Sequence, residues 1–74
     1  MSKQAATQHK ALSAREREVL AFASQGKSAR DIGAILGITK RTVDHHTQTA
    51  SRKLGASNKV AAVALAIRYG IIDP

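Results

Sequence analysis

From Leu12 onward, apolar positions recur at helical spacing and polar caps divide them into four runs. "LSARE" places Ser13 three residues before Glu16, the spacing at which a cap and the third helical residue hydrogen-bond each other's backbone. A helix is expected from Ala14, with Val19, Leu20 and Ala23 on one face, Phe22 beside them, and Gly26 as its left-handed stop. Ser28 and Asp31 repeat the capping spacing and open a second helix at Ala29. Its apolar face is Ile32, Ile35 and Leu36, and Gly37 ends it. A helix of about eight residues is too short to persist alone, so its neighbours must hold it. Gly33 in its interior costs roughly 1 kcal/mol relative to alanine, and the expected return is close approach of another backbone.

Thr39 caps a third helix from Lys40 to about Leu54, stopped by Gly55. After "GASN" a fourth run, "KVAAVALAIRY", begins near Asn58 and closes at Gly70; its alanines allow close packing. Ile71 and Ile72 are too short a run for a strand, and neither an internal repeat nor a low-complexity segment occurs. The expected fold is all-α: a four-helix domain over residues 12–74 behind a flexible tail or linker at 1–11, which is polar and without periodicity.

Only Gly37, Ile38 and Thr39 separate the second and third helices, which makes residues 29–48 or so a helix-turn-helix. The third helix has two unlike faces. Val43, Thr47, Ala50 and Leu54 share the core side, while Arg41, Asp44, His45, Gln48 and Arg52 collect opposite. Such hydrogen-bonding side chains read base edges in a major groove, whereas a merely solvated helix face would look similar. Lys40, Arg41, Arg52, Lys53 and Lys59 surround that face against the single acid Asp44.

Composition favours the first reading. The 74 residues carry twelve Lys and Arg against five Asp and Glu, a formal charge of +7, which suits a polyanion such as nucleic acid or an anionic membrane surface. One Phe and one Tyr leave little for stacking single-stranded bases. The lack of cysteine rules out disulfides and thiolate zinc and fits a reducing cytoplasm. No apolar run approaches the roughly 18 residues of a membrane span, and the start lacks the apolar segment of a secretory signal. A cytoplasmic, nucleoid-associated location is expected.

Acid beside two histidines invites a metal or proton-transfer reading, and helical spacing argues against it. Adjacent residues point about 100° apart, and chelating pairs need i, i+3 or i+4. Four residues beyond His46 stands Ala50, and beyond His45 stands Thr49. Neither a nucleophile with its base nor a glycine-rich phosphate cradle is present, so no enzyme, metal site or cofactor is expected. His45 points outward toward the groove; His46, at the boundary of the faces, suits a structural role. Asp44 has two readings: acceptor of a cytosine amino group, or intrahelical partner of Lys40 or Arg41.

The blocks "LSAREREVL" at Leu12–Leu20, Gly26, "IGAILGI" at Ile32–Ile38, "TVDHH" at Thr42–His46 and "KLG" at Lys53–Gly55 occur in the order and spacing of one family. The chain resembles the DNA-binding domain of LuxR-type transcriptional regulators over about its last five-sixths. That resemblance implies a third helix in the major groove of an inverted-repeat site and dimerisation largely through the fourth helix. It puts Asp44, His45 and Gln48 at base edges, with Arg41 joining them from the helical pattern. It puts Ser28, Thr39, Lys40, Thr42 and Lys53 at phosphates, to which the basic flank adds Arg52. Double-stranded DNA is the expected partner, a second copy the next, and RNA polymerase a further one.

Departures from the family pattern are Asp44, where Lys or Arg is common, Thr47 and Ala50 in place of larger aliphatics, and Gly33 in place of alanine. The last three suggest a thinner core with the second and third helices closer. The fourth helix carries two stripes: Val60, Val63, Ala64 and Ile67 on one side, Ala62, Leu65, Ala66 and Tyr69 on the other. A second stripe calls for a partner, and Val60, Val63, Ala64 and Ile67 are the expected dimer interface. An interaction module that pairs through this helix and inhibits a full-length regulator is the alternative; the related helix-turn-helix of a sigma factor lacks the "TVxxH…KLG" spacing.

Overall fold

The computed structural model describes residues 11–74, so most of the expected tail, residues 1–10, lies outside the described residues. Four helices follow in order: α1 (Ala14–Ser24), α2 (Ala29–Leu36), α3 (Lys40–Leu54) and α4 (Lys59–Arg68). No strand occurs among the described residues. Each helix starts where a cap side chain accepts a backbone N–H three residues on: Ser13 from Glu16, Ser28 from Asp31, Thr39 from Thr42 and Asn58 from Ala61. These bonds satisfy donors that the helical ladder cannot reach.

Two apolar clusters hold the helices. In one, Val19 of α1, Ile32 of α2 and Val43 of α3 meet fully buried, with Phe22, Ala23, Leu36 and Ile38 around them. In the other, Leu12, Leu20, Ala50, Leu54, Ala62, Ala66 and Ile72 join α1, α3 and α4. Ala50 on α3 and Ala62 and Ala66 on α4 are completely enclosed, so small side chains set the closeness of that packing. Ala50 thus thins the contact of α3 with α1 and α4, not the expected contact with α2. The short run Ile71–Ile72 closes this cluster beyond the end of α4.

On α2 the inward stripe is Ile32 and Gly33, buried, with Ala29 and Leu36 half-buried beside them, whereas Ile35 is 49% exposed. The expected face at Ile32, Ile35 and Leu36 is therefore rotated. Gly33 is the cause: lacking a side chain, it lets the α2 backbone sink against the chain entering α3. A Cβ built on Gly33 would lie 2.6 Å from the Ile38 carbonyl oxygen and 3.4 Å from the Lys40 nitrogen. The Ile38 N–H donates to the Gly33 carbonyl at 2.9 Å, so the turn is bonded to the residue it touches. Gly37 completes it at φ 73°, a left-handed conformation that side chains with a Cβ disfavour.

The long-range polar tie is at the other end of α3. Glu16 completes the capping box, taking the Ser13 N–H at 2.9 Å, and the same oxygen meets the Lys53 ammonium at 2.9 Å. Lys53 also donates to the Ala11 carbonyl at 3.4 Å. Glu16 is buried, so this pair is shielded from solvent and bridges the start of α1 to the end of α3. Burial pushes the Glu16 carboxyl up, but the Ser13 N–H and the Lys53 ammonium together hold it below its ordinary value.

Because the folded carboxyl is depressed, its stabilisation is present above the ordinary carboxylate range and is lost as pH falls through the lowered folded value. Glu16→Gln is expected to lose about 2 kcal/mol at pH 7, a fall in Tm of roughly 10 °C, and to flatten the acid limb of the Tm–pH curve. An unchanged Tm at pH 7 and an unchanged acid limb would refute this. At the turn, Gly33→Val is expected to cost about 3 kcal/mol, and Gly33→Ala about 1 kcal/mol because its helix propensity offsets part of the strain. Urea denaturation measures both; equal midpoints for the parent chain and the two variants would show that the turn has room to spare.

Candidate nucleic-acid interface

The two faces of α3 are set by what packs beneath it. Val43, Ala50 and Leu54 are buried, and the Thr47 hydroxyl turns back to donate to the Val43 carbonyl at 3.0 Å. That bond lets a polar residue stand on the core side. Opposite them, Arg41, His45, Gln48 and Arg52 are at least partly exposed and Asp44 is half-exposed. All five expected outward residues therefore lie on one side of one rigid element, whose angle is fixed by the Gly33 contact at its start and the Lys53 tie at its end.

The start of α3 is a built corner. Thr39 accepts the Thr42 N–H at 3.1 Å, and the two threonine hydroxyls lie 3.0 Å apart. The Lys40 and Arg41 N–H groups have no i−4 acceptor within the helix, so they point out of its positive end, where an anion is favoured. Ser28 caps α2 in the same way, with Asp31 in that helix's first turn.

Charges along α3 are partly committed to each other. The Lys40 ammonium sits 2.8 Å from one carboxylate oxygen of Asp44, with both side chains about half exposed to water. The intrahelical reading of Asp44 is thus realised in the free domain. Among the described residues, Arg41 and Arg52 make no ion pair. Lys53, expected at a phosphate, has its ammonium engaged inside the domain, because the buried Glu16 carboxylate draws the cation across from it. His45 is exposed and His46 half-buried, their rings meeting edge to face at 6.0 Å. No hydrogen bond ties the His46 ring to backbone among the described residues.

The polar surface continues past α3. A shallow groove between its second half and the start of α4 is lined by Gln48, Arg52, Ser57, Asn58 and Lys59 among others. Sequence reasoning misses Ser57 and Asn58 as lining of this groove; the signal in the chain is only that Asn58 caps α4 beside the outward face of α3. On α4, Ala62 and Ala66 are buried, while Val60 is 79% exposed and Ala64 is exposed beside it. Val63 and Ile67 are half-buried against the core and reach this face from its flank. Tyr69, placed with the inner stripe by spacing, is largely exposed because α4 ends at Arg68.

Among the described residues, no group of three or more His, Cys, Asp or Glu side chains is placed to hold a metal ion. No helix among them is long and apolar enough to cross a membrane.

Comparison with known proteins gives this geometry a family. The model of bacterial regulatory proteins of the luxR family matches residues 10–66. The chain is 64% identical over 63 residues to the transcriptional activator protein BjaR1 of Bradyrhizobium diazoefficiens, covering 85% of this chain and 26% of that protein. It is 53% identical over 62 residues to the transcriptional activator protein SolR of Ralstonia nicotianae, covering 84% of this chain and 26% of that protein. It thus spans about a quarter of the length of the curated relatives it matches. Among solved structures, the transcription factor GerE superposes with a TM-score of 0.80 at 32% identity, covering 84% of this chain and 92% of that one. With four helices among its described residues, a helix-turn-helix corner and these matches, the chain belongs to the LuxR family of bacterial regulatory proteins.

Proposed function

We propose that this domain is a sequence-specific double-stranded DNA-binding transcriptional regulator that lays α3 in the major groove. The observation that carries this is the division of α3. One side is locked into two cores through Val43, Ala50 and Leu54, and the other presents Arg41, Asp44, His45, Gln48 and Arg52 on a rigid rod. A major groove about 12 Å wide accepts one helix, and these side chains supply both donors and acceptors for base edges. Arg41, Asp44, His45 and Gln48 take the base-reading roles. Ser28, Thr39, Lys40, Thr42 and Arg52 take the phosphates, aided by the free N–H groups of the α3 start. The relatives' names, as transcriptional activators, support the regulatory half of the reading.

The exposed Val60 and Ala64, flanked by Val63 and Ile67, serve as a self-complementary seam through α4. Two copies related by a two-fold axis would place two α3 helices on the halves of an inverted repeat. A heterodimer of this chain with a longer regulator would use the same seam.

With Lys40 and Arg52 as the cations at phosphates and the other contacts made by neutral hydroxyls, a log–log slope of affinity against salt of about −2 per subunit is expected. Fluorescence anisotropy on a duplex at several salt concentrations reads it; a flat slope without preference among duplexes would contradict DNA binding and favour the interaction module. Val60→Asp is expected to weaken self-association by at least about ten-fold in sedimentation, since it buries a charge at the seam. A strictly monomeric parent chain, at high concentration and on DNA, would remove the seam.

A further inference from the structure

We propose that Asp44 is a discriminator, a carboxylate that admits only a base offering an exocyclic amino group, foremost cytosine N4, and that Lys40 sets how strictly it does so. This rests on the DNA reading above and names what that reading leaves open: which base the acid demands, and why it is tied to a lysine.

Asp44 is the only acid in α3 and stands in the centre of the outward face, between Arg41 and Gln48. Its oxygen Oδ2 is held by Lys40 at 2.8 Å, and among the described residues Oδ1 accepts no hydrogen bond. An ionised carboxylate is an acceptor only. In the major groove guanine shows two acceptors and thymine an acceptor beside a methyl group, so both leave the carboxylate facing like polarity. Adenine offers an amino group with the N7 acceptor next to it, and cytosine offers the amino group alone. The unengaged Oδ1 therefore fits cytosine best, and guanine worst.

The lysine's place is not explained by helix stability. The pair runs cation first and acid four residues later, the poorer order along a helix. Lys40 is also the first helical residue, where the positive end of the helix disfavours a cation. What this position does offer is reach to two anions, a phosphate at the helix start and the Asp44 carboxylate one turn on. On a mismatched base, Asp44 falls back on Lys40, and the mismatch is penalised less than it would be with an unpartnered carboxylate. On cytosine, Oδ1 takes the amino group and the Lys40 ammonium is free to turn to phosphate.

Selection of bound duplexes from a random pool tests this with the parent chain, Asp44→Asn, Asp44→Ala and Lys40→Gln, all surface changes. The parent chain is expected to prefer cytosine over guanine about ten-fold at one position of each half-site. Asp44→Ala should bind the four bases there equally while every other position keeps its preference, and Asp44→Asn should move the choice to adenine, which an amide matches with two bonds. Lys40→Gln should weaken binding to all sequences yet widen the cytosine preference about two-fold, the size of a helical ion pair. If the parent chain selects a defined site and Asp44→Ala selects the same site with the same profile, the discriminator is overturned and DNA reading stands. A Lys40→Gln preference equal to or narrower than the parent's overturns the lysine's part. A parent chain that selects nothing overturns the DNA reading itself, and the discriminator with it.

Discussion

A Cβ on Gly33 would collide with the Ile38 carbonyl at 2.6 Å, so the backbone of α2 and the chain entering α3 touch with nothing between them. Because the contact is backbone to backbone, neither side can yield by changing a rotamer. The Ile38 N–H bonded to the Gly33 carbonyl pins the same two segments a second time. That double contact fixes the angle at which α3 leaves the turn, and everything presented by α3 inherits that angle. It also decides which residues of α2 are inside. With the helix drawn in at Gly33, Ile32 and Leu36 face the core and Ile35 is left in water. A helix of eight residues depends on such contacts, this one and the packing of Ile32, to hold its orientation.

The far end of α3 is anchored by charge. Glu16 joins a local cap to a distant lysine, so the start of α1 and the end of α3 move together. That use of Lys53 helps divide these basic residues into three kinds. Lys53 balances a buried acid, whereas Arg41 and Arg52 leave their charge to the surface and Lys40 shares its charge with Asp44. Net charge alone, +7 over the chain, counts them all as equally free for a polyanion. The outward face is thus less uniformly basic than its composition implies.

The parts of the fold legible in the sequence are those governed by neighbours a few residues away. Ser13, Ser28, Thr39 and Asn58 cap helices at the expected places because a cap and its N–H lie three residues apart. The two faces of α3 follow from its own periodicity, and Gly33 is legible as a close approach, since an interior glycine demands a reason. The features that are not legible depend on partners distant in the chain. Glu16 and Lys53 are 37 residues apart, and no periodicity links them. The exposure of Ile35 depends on how deep α2 sinks, which its own pattern cannot report. Spacing puts Ala50 on the core side of α3 but does not say which neighbour fills its space, and it faces α1 and α4. Of the outward face, the positions of Arg41, Asp44, His45, Gln48 and Arg52 are legible, and the Lys40–Asp44 pair is one of two readings that the sequence leaves open.

The central claim is that a rigid α3, oriented by the Gly33 contact, presents its outer face to a duplex. Titration of the isotope-labelled chain with a double-stranded oligonucleotide, followed residue by residue through amide chemical shifts, tests it directly. The largest changes are expected on Ser28, Lys40, Arg41, Asp44, His45 and Gln48, while the buried Leu20, Ala62 and Ala66 stay in place. Changes centred on Val60 and Ala64 with the outer face of α3 silent, or no changes at any residue, would contradict it.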